Sequence, residues 1–553
     1  MMRVALIAVL GMMAVGAAPT EVRAVSLTSE DRVLLATYAR DTWRSLDAMS
    51  STGQLPVDGL WRTGESWTAA NYTSPTNIAA YLWSTIVAER LGLITREDSG
   101  RRLGGVLAKL GHLDRSHGFF YNWYDPRTGD RLRVWPGGGP VRGFLSTVDN
   151  GWLAAALMMV GQARAELKNT ADAILVPMNF GFFYDPHDPS RPAIHPGLLR
   201  GGYFTDGGGE YTDFHYGVLN TEPRIASYIG IARGDLPADH YYRMVRSAPN
   251  AASPSRSYRG VLVSEGALPY RGSRVVPSWD GSMFEALMVP LFVPEAAWGP
   301  ESWGVNHRLY ARAQIDYGLN DARLGFWGVS ASSDSRGGYR PFGIAPLGLA
   351  PNAGREPDGT PTRVITPHAS FLAMPFVPRE AMDNLKALAA AYPVYSHYGF
   401  LDAVDVGTGH VSEGVLVLDQ GMILAAIANV LGMDVLTRSF STGIEASIRP
   451  LLAAEQFEVS PRPSPRNNVD LKIARVSTVT LGPVARPAVV SVAEGPVPPP
   501  ARPWRRVLVV QAARPAGPVA FGGGDERTDA LGPRRTPLRR RGGKASERRR
   551  AVG

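Results

Sequence analysis

Apolar positions along the chain recur mostly at helical spacing, and the clearest case is YGVLNTEPRIASYIGIARGD (216–235). Four apolar residues in this stretch fall at the i, i+3, i+4, i+7 positions of one buried helix face: Ile225, Tyr228, Ile229 and Ala232. Glu222 precedes that face, and Pro223 suits the first turn because the N–H it lacks would be unpaired there. The pattern predicts a buried helix that begins beside Glu222.

Capping residues precede other periodic segments. Residues 28–31 (TSED) match a capping box, Ser74-Pro75 matches an N-cap followed by proline at the first helical position, and Thr95 matches a further N-cap. About twelve helices and little strand are predicted in all. Beyond residue 237 the predicted helices are 238–245, 280–291, 301–317, 362–374, 379–392, 415–431 and 434–454. The fold class is therefore all-α, and inner and outer helices paired around a cleft would satisfy this pattern.

Three connections, 246–279, 318–361 and 393–414, are long and rich in aromatic residues and glycine. Connections in compact helical proteins are usually shorter. Long loops of this composition are typical of a binding face carried by a rigid scaffold.

The two ends of the chain differ from its middle. Arg3 and the apolar run from Val4 to Ala18 predict a secretory signal at residues 1–24, because the run is shorter than the ~20 residues of a membrane-spanning helix. No later stretch is apolar enough to span a bilayer. We expect a catalytic domain at 25–456, a disordered tail at 457–553, and a secreted, periplasmic or cell-envelope location.

Charge separates the predicted tail from the rest. From Ser460 onward 19 Lys and Arg face 6 Asp and Glu, a net charge of +13, so the whole-chain +8 leaves residues 1–459 at −5. A basic segment rich in Pro, Arg and Gly without apolar periodicity is expected to be disordered. Such a tail suits an acidic envelope polymer, and a merely solvated extension explains it equally well. Nucleic acid is not an expected partner of the mildly acidic domain.

Several classes of chemistry lack their motifs. The chain contains no cysteine, HExxH, EF-hand loop or GxSxG. The acidic residues at 206–213 lack a calcium-loop pattern, and the glycine runs at 138 and 208 lack a phosphate-loop context. No metal and no cofactor are therefore expected.

Carboxylates among aromatic residues remain as candidates for chemistry. They are Asp149, Glu222, Glu285, Asp334 and Asp402. Each alone suits a structural role: a first-turn residue for Asp149, an arginine partner for Glu285, a turn former for Asp402. Together they match glycosidic cleavage, which needs one protonated and one ionised carboxyl group, with aromatic planes as platforms for sugar rings.

At these residues the chain resembles the bacterial glucoamylase-like domain, the group that includes the endo-β-1,2-glucanases of glycoside hydrolase family 144 and the C-terminal part of cyclic β-1,2-glucan synthases. The blocks that carry the resemblance include TSPTNIAAYL (73–82), STVDNGWLA (146–154), NTEPRIASYIGIARGD (220–235), SWDGSMFEALMVPLF (278–292) and YGFLDAVD (398–405). The resemblance covers roughly residues 30–430, and it implies an (α/α)6 toroid and glycan substrates.

By position, the resemblance makes Glu222 the glutamate that the glucanases require, with Asp149 and Asp402 as further essential acidic residues. The synthase branch carries a second glutamate in WGxSE, where this chain has Ala331, with Asp334 nearby. This departure favours hydrolysis with inversion over the synthase-type retaining reaction.

We expect Glu222 to be the general acid, its pKa raised by apolar neighbours, and Asp402 to be a solvated, ionised base. Asp149 would orient the substrate or the water. The residues predicted to bind substrate are Trp123, Tyr216, Trp279, Glu285, Trp327, Asp334 and Tyr398.

The leading interpretation is a secreted, monomeric glycoside hydrolase that cleaves a β-linked glucan, above all β-1,2-glucan. Glycosyl transfer or phosphorolysis on the same toroid is a second interpretation. A non-catalytic glycan-binding envelope protein is a third, which retention of all three acidic positions disfavours. Endo or exo action depends on whether loops 186–212 and 246–277 block the cleft.

Overall fold

The structure, a computed structural model, describes residues 27–50, 55–247, 253–334 and 338–460. The predicted signal and the predicted tail from residue 461 onward lie outside these ranges.

Fifteen α-helices lie within the described ranges. They are α1 (Ser29–Met49), α2 (Pro75–Arg90), α3 (Arg96–Leu110), α4 (Thr147–Ala163), α5 (Lys168–Leu175), α6 (Arg224–Arg233), α7 (His240–Arg243), α8 (Met283–Leu287), α9 (Glu295–Trp298), α10 (Trp303–Asp316), α11 (Pro367–Ala373), α12 (Pro378–Ala391), α13 (Val417–Val430), α14 (Val435–Ser441) and α15 (Glu445–Ala454). The single helix predicted at 434–454 is divided into α14 and α15, and the one predicted at 280–291 is reduced to α8 and a 3-10 turn. No single described helix is long and apolar enough to cross a bilayer; α13 and α14 reach that length and composition only together, across a 100° bend.

The expectation of little strand was wrong for the loops, which contain 21 short strands within the described ranges. They are β1 (Gly59–Thr63), β2 (Ser66–Ala69), β3 (Arg115–Ser116), β4 (Phe119–Phe120), β5 (Phe144–Ser146), β6 (Tyr184–Asp185), β7 (Leu198–Leu199), β8 (Gly202–Phe204), β9 (Glu210–Tyr211), β10 (Ser255–Tyr258), β11 (Val261–Ser264), β12 (Leu268–Tyr270), β13 (Ser273–Val275), β14 (Ser332–Ser333), β15 (Tyr339–Arg340), β16 (Val364–Ile365), β17 (Tyr395–Ser396), β18 (Gly399–Phe400), β19 (Val404–Asp405), β20 (His410–Val411) and β21 (Gly414–Leu416). They form antiparallel sheets of two or three strands, the larger ones ordered β2-β1-β21, β5-β8-β9 and β16-β19-β20. Ladders this short have too little periodicity to be read from sequence.

Predictions of helix starts are confirmed where the cap is local. Thr28 Oγ1 accepts the N–H of Asp31 at 3.1 Å, and the Asp31 carboxylate accepts the N–H of Thr28 at 3.0 Å. Ser74 accepts the N–H of Asn77 at 3.2 Å at the start of α2, and Thr95 caps α3 in the same way. These contacts satisfy N–H groups that a helix start leaves open.

The helices pack in two sets. In the first, α13 packs on α2, α2 on α4, α4 on α6, α8 on α11 and α11 on α13. Arg224 of α6 donates to the backbone carbonyls of Glu285 and Ala286 in α8, which connects those two helices. In the second set, α1 packs on α13, α3 on α2, α5 on α4, α15 on α6, α10 on α8 and α12 on α11. Nearly every residue of α2 is buried, as expected for a helix enclosed by other helices.

Two ends of the described chain meet beside α13. Strand β1 pairs with β21, with Leu60 opposite Val415, and Arg62 forms an ion pair with Glu413 at 2.6 Å. Helices α1 and α2 both pack on α13. The first and last thirds of the domain are therefore held together directly.

Packing continues beyond the predicted domain boundary at residue 457. Phe457 is buried, with its ring 5.2 Å from that of Trp303. The backbone N–H of Arg274 donates to the carbonyl of Ser460 at 3.4 Å. The boundary placed before Phe457 was therefore too early.

Candidate active site

Glu222 lies immediately before α6, where the sequence predicted it. Pro223 occupies the N-cap position, and Arg224 is the first residue of the helix. The Glu222 side chain is 2% exposed, and its Oε2 has no hydrogen-bond partner among the described residues. A buried carboxyl oxygen without a protein partner is open to a ligand or a water molecule.

The surroundings of Glu222 favour its protonated form. The pKa of Glu222 is raised to about 8, chiefly by burial and also by the carboxylates of Asp280 and Asp149, while a backbone hydrogen bond and Arg224 act against this. A pKa of about 8 favours the protonated form of Glu222 at neutral pH. A protonated carboxyl group can donate a proton to a leaving group.

Asp149 and Tyr216 adjoin Glu222. Asp149 lies in the first turn of α4, where its Oδ1 accepts the hydroxyl of Thr76 at 2.7 Å. Burial, and then the charges of Glu222 and Asp149, raise the pKa of Tyr216 well above its ordinary value. The structure thus brings together three of the predicted site residues, Asp149 from α4 and both Tyr216 and Glu222 from the stretch before α6.

The environment predicted for Asp402 was wrong. Its side chain is 2% exposed rather than solvated. Oδ2 accepts the hydroxyl of Ser333 at 2.7 Å, and Oδ1 accepts the backbone N–H of Leu416 at 3.0 Å. Burial, and then the Asp419 carboxylate, raise the pKa of Asp402 well above its ordinary value. The donors lie 69 and 14 residues away in β14 and β21, so the loop position of Asp402 alone suggested exposure.

Asp58, in the loop before β1, is a carboxyl group that the sequence analysis did not select. Its Oδ1 accepts Nδ2 of Asn77 at 2.7 Å, and Tyr72 is a second hydrogen-bonding neighbour. Loss of solvent raises the pKa of Asp58 to about 6, and the charge of Asp419 adds to the effect. The aromatic residue in LPVDGLW (55–61) was a signal of the kind used to select the other carboxylates.

Asp419 is a second missed carboxyl group, in the first turn of α13. It is 2% exposed, and its Oδ2 lies 3.3 Å from Nδ1 of His368, which is 1% exposed. Among the described residues, neither this oxygen nor either ring nitrogen of His368 has a well-oriented hydrogen bond. The available signal was an acidic residue within an otherwise apolar helix, since buried charges are rarely placed without a partner or a use.

Glu285 caps the start of α8, the helix that contains it. Its oxygens accept the backbone N–H groups of Asp280 at 3.0 Å and Ser282 at 3.3 Å, forming a capping box. No arginine side chain pairs with it in the described structure, and both oxygens are occupied, so the geometry does not support the predicted sugar contact. Burial, and then the charges of Asp280 and Glu222, raise the pKa of Glu285 well above its ordinary value.

Tyr339 connects the two groups of carboxyl residues. Burial, and then the charges of Asp419, Glu222, Glu285 and Asp58, raise its pKa well above the ordinary value. Residues from both groups therefore lie within electrostatic reach of one hydroxyl group. The Glu222 group and the Asp58–Asp419 group consequently belong to one site.

The three tryptophans predicted to contact sugar have different surroundings. Trp327 is 2% exposed in the core, which does not support its predicted sugar contact. Trp123 is 6% exposed, with its ring 5.4 Å from Tyr72 and 5.8 Å from Trp135. Trp279 is partly exposed and packs on the edge of the core. Trp279 is therefore the best placed of the three to meet a ligand.

The remaining two predicted contacts also differ. Tyr398 is partly exposed, with its ring edge-on to Trp67 at 5.0 Å. Asp334 is buried and forms an ion pair with Arg340 at 2.5 Å, and Arg340 also binds Glu356 at 3.0 Å. Asp334 therefore holds a loop arginine in place, which does not support its predicted sugar contact.

The site as a whole combines a protonated glutamate with a separate group of crowded aspartates. Such a pair can donate one proton and accept another, as general acid–base chemistry requires. Within the described ranges, no group of three or more His, Asp and Glu side chains has the arrangement of a metal site.

Comparison with known proteins identifies part of the chain. Residues 241–442 match the family model Glycoamylase, described as "Putative glucoamylase". Over these residues the chain is similar to glucoamylase-like proteins. The matched segment includes Asp402 and Asp419, whereas Glu222 and Asp149 precede it.

Two of the similar proteins are named as a β-1,2-glucan synthase and a β-1,2-glucanase. Over 291 residues it is 32% identical to the cyclic β-(1,2)-glucan synthase NdvB of Rhizobium meliloti (strain 1021), covering 50% of this chain and only 9% of that protein. A solved "putative glucoamylase" of Bacteroides fragilis NCTC 9343 matches with a TM-score of 0.57 and 19% identity over 78% of this chain and 98% of its own. The endo-β-1,2-glucanase of Chitinophaga pinensis, solved with sophorotriose and glucose, matches with a TM-score of 0.54 and 17% identity over 77% and 98%. At identities of 19% and 17%, the likeness to these two solved structures shows a shared fold and nothing finer.

Proposed function

We propose that the chain is a glycoside hydrolase that cleaves a β-linked glucan, above all β-1,2-glucan, with inversion of configuration. The observation that carries the proposal is the environment of Glu222: it is buried, its Oε2 has no partner among the described residues, and its pKa is raised to about 8, chiefly by burial. The Asp58–Asp419 group shares Tyr339 with it as a neighbour. A secreted or envelope location and a monomeric state belong to the same proposal.

The architecture that we propose for the domain is an (α/α)6 toroid. The first helix set, α2, α4, α6, α8, α11 and α13, contacts in succession and returns to its start, and each member carries one helix of the second set. The solved relatives support the same arrangement through their shared fold. The carboxyl residues would then lie at one mouth of the ring, in the loops and first turns that lead into the inner helices.

In the proposed reaction Glu222 donates its proton to the leaving glycosidic oxygen, while water attacks from the opposite face of the sugar. An ionised carboxylate accepts the proton of that water. In inverting enzymes the two carboxyl groups lie ~6.5–9.5 Å apart. We assign this role to Asp402 and Asp419 together, since both side chains are buried and the Asp419 carboxylate acts on Asp402. Asp149, held by Thr76, orients the substrate or the water.

Glycosyl transfer is the second candidate, and the similarity to the glucan synthase NdvB favours it. The small side chain of Ala331, at the position that carries glutamate in the synthase motif, supports hydrolysis instead. The two reactions differ in their acceptor, which is water in one and a sugar hydroxyl or phosphate in the other.

The test is a product analysis with the full chain. Linear and cyclic β-1,2-glucans, together with β-1,3-, β-1,4- and α-1,4-glucans, are incubated with and without phosphate, and the configuration of the new reducing end is followed by NMR. We expect new reducing ends from a β-1,2-glucan, with inverted configuration and no need for phosphate. Longer products or glycosyl phosphates would replace hydrolysis by transfer or phosphorolysis. Binding without turnover on every glucan would indicate a glycan-binding protein.

A further inference from the structure

Arg224 lies two residues after Glu222, yet its guanidinium binds a different carboxylate. The guanidinium is fully buried and forms a two-pronged ion pair with Glu295, with Nε 2.8 Å from Oε1 and Nη2 2.9 Å from Oε2. Glu295 is the first residue of α9. The pair therefore links the helix that follows the proposed acid to a separate helix.

The other donors of Arg224 are also occupied. Nη1 donates to the carbonyls of Thr221 at 3.0 Å and Glu285 at 3.2 Å, and Nη2 donates to the carbonyl of Ala286 at 2.9 Å. A guanidinium has five N–H groups. All of them are thus used, and none is left for the unpartnered Oε2 of Glu222.

Glu295 is saturated as well. Its Oε1 also accepts the hydroxyl of Tyr228 at 2.7 Å, and its Oε2 contacts Nε2 of His307 at 3.0 Å. Although burial acts in the opposite direction, Arg224 and these hydrogen bonds lower the pKa of Glu295 to about 2. Glu295 therefore remains an anion across the neutral range and compensates the charge of Arg224 there.

We propose that Glu295 is a positioning residue, which binds Arg224 so completely that Glu222 is left to carry the proton for catalysis. The catalytic part of this inference rests on the proposed function. Without the anion of Glu295, the guanidinium would be an uncompensated cation beside Glu222, and such a cation favours the ionised form of a carboxyl group.

The groups that act on Glu222 come from several elements: Arg224, Asp149, Tyr216, Asp280, Glu285 and Tyr339. Arg224 is the cation of this set, and the others are acidic or phenolic. The proton on Glu222 is therefore sensitive mainly to how well the charge of Arg224 is compensated.

The chain offers a matched control for a purely structural ion pair. Arg246 and Glu455 form a second pair in which both side chains are fully buried, and Tyr241 donates its hydroxyl to Glu455, as Tyr228 does to Glu295. Neither residue of this pair is among the groups with the largest effects on the pKa of Glu222. A loss of general stability should therefore follow from either disruption, but an effect on Glu222 only from the first.

The experiment titrates the Glu222 carboxyl by infrared difference spectroscopy on the full chain, using the signal that disappears in Glu222→Gln. We expect Glu295→Gln to lower the pKa of Glu222 by on the order of one unit or more, as an uncompensated cation does, and Glu455→Gln to leave it unchanged. An unchanged Glu222 titration in folded Glu295→Gln would overturn the proposal, as would an equal shift in Glu455→Gln.

A milder variant covers the case in which Glu295→Gln does not fold. Tyr228→Phe removes one hydrogen bond from Glu295 and should lower the pKa of Glu222 in the same direction by a smaller amount, whereas no shift contradicts the proposal. The infrared measurement needs no substrate. If the pKa of Glu222 shifts in the variants but the wild type cleaves no glucan, the proposed function fails and this inference stands. If the wild type cleaves glucan but the pKa does not shift, this inference fails and the proposed function stands.

Discussion

Glu222 and Glu295 are two buried glutamates that interact with the same arginine, Arg224, and their pKa values are shifted in opposite directions. The pKa of Glu222 is raised to about 8 by burial, whereas that of Glu295 is lowered to about 2 because hydrogen bonds and the charge of Arg224 outweigh burial. Glu295 accepts four hydrogen bonds, whereas Oε2 of Glu222 accepts none from the part of the chain that the structure describes.

The contrast shows that burial does not by itself assign a role to a carboxyl group. Desolvation penalises the charge of both glutamates, and the supply of donors decides which of them ionises. A carboxylate whose oxygens accept several hydrogen bonds stabilises the protein, whereas a carboxyl group that lacks donors is available to a ligand. Undersupply at Glu222 is costly for the fold, as is usual at functional sites.

The strongest way to break this comparison is to replace each glutamate with glutamine. We expect Glu222→Gln to lose on the order of 10²–10⁴-fold in turnover, because the amide cannot donate the proton, while it still binds glucan. Glu295→Gln should lose on the order of 3–5 kcal/mol of stability, because it leaves Arg224 buried without its anion. Initial rates, glucan affinity and urea unfolding measure these effects, with Glu210→Gln on an exposed strand as the control. Wild-type turnover in Glu222→Gln on every glucan that the wild type cleaves would end the assignment.

The second way concerns the aspartates that would complete the acid–base pair. Asp402→Asn and Asp419→Asn should each lower turnover by on the order of 10²-fold, because each removes one member of the pair that accepts the proton of water. Azide, as an external nucleophile, should restore activity to the variant that lacks the base itself. Full activity of Asp419→Asn would assign the base to Asp402 alone.

A third test uses pH, to which the two glutamates should respond in opposite directions. Glu222 binds its proton more tightly folded, at about 8, than unfolded, near 4.5, so its contribution to stability is lost as pH rises from 4.5 through 8. Glu295 has the reverse shift, so its contribution is present above 4.5 and is lost as pH falls towards about 2. Unfolding midpoints across this range should show a decline at high pH that is absent in Glu222→Gln. The pH profile of kcat/KM should also fall above about 8 as Glu222 loses its proton; a profile without this fall would mean that another group donates.

The smallest expected effect extends the comparison to tryptophans. Trp279, which is partly exposed, should contribute on the order of 1 kcal/mol to sugar binding, so Trp279→Ala should weaken glucan affinity several-fold without unfolding the protein. Trp327 is buried, so Trp327→Ala should instead cost about 3–5 kcal/mol of stability. Calorimetric titration and thermal unfolding separate the two outcomes. Equal affinity of Trp279→Ala and wild type would place the sugar elsewhere.

Features fixed by neighbouring residues could be predicted from the sequence. The caps at Thr28 and Ser74 depend on partners three residues away, and Glu222 precedes a helix whose apolar spacing is visible in the sequence. The burial of Asp402 depends instead on Leu416 and Ser333, neither of which adjoins it in sequence.

The missed residues have the same explanation. Asp58 and Asp419 lie at opposite ends of the domain and belong to the site only because α2 and α13 pack together. Their role in the site depends on that packing, which cannot be predicted from the spacing of apolar residues along the chain. The division of α14 from α15 was likewise hidden, because one apolar pattern runs through both.

The closure of the domain beside α13 has a consequence for synthesis. Arg62 and Glu413 are 351 residues apart in sequence, and α2 finds its partner α13 over a similar separation. At a synthesis rate of ~5–20 residues per second, α13 leaves the ribosome tens of seconds after α2. Contacts of such long range also slow folding, since the intervening chain must first be ordered. The apolar circumference of α2 therefore stays partly uncovered in the nascent chain, and the position of α13, rather than total length, determines how long aggregation competes with folding.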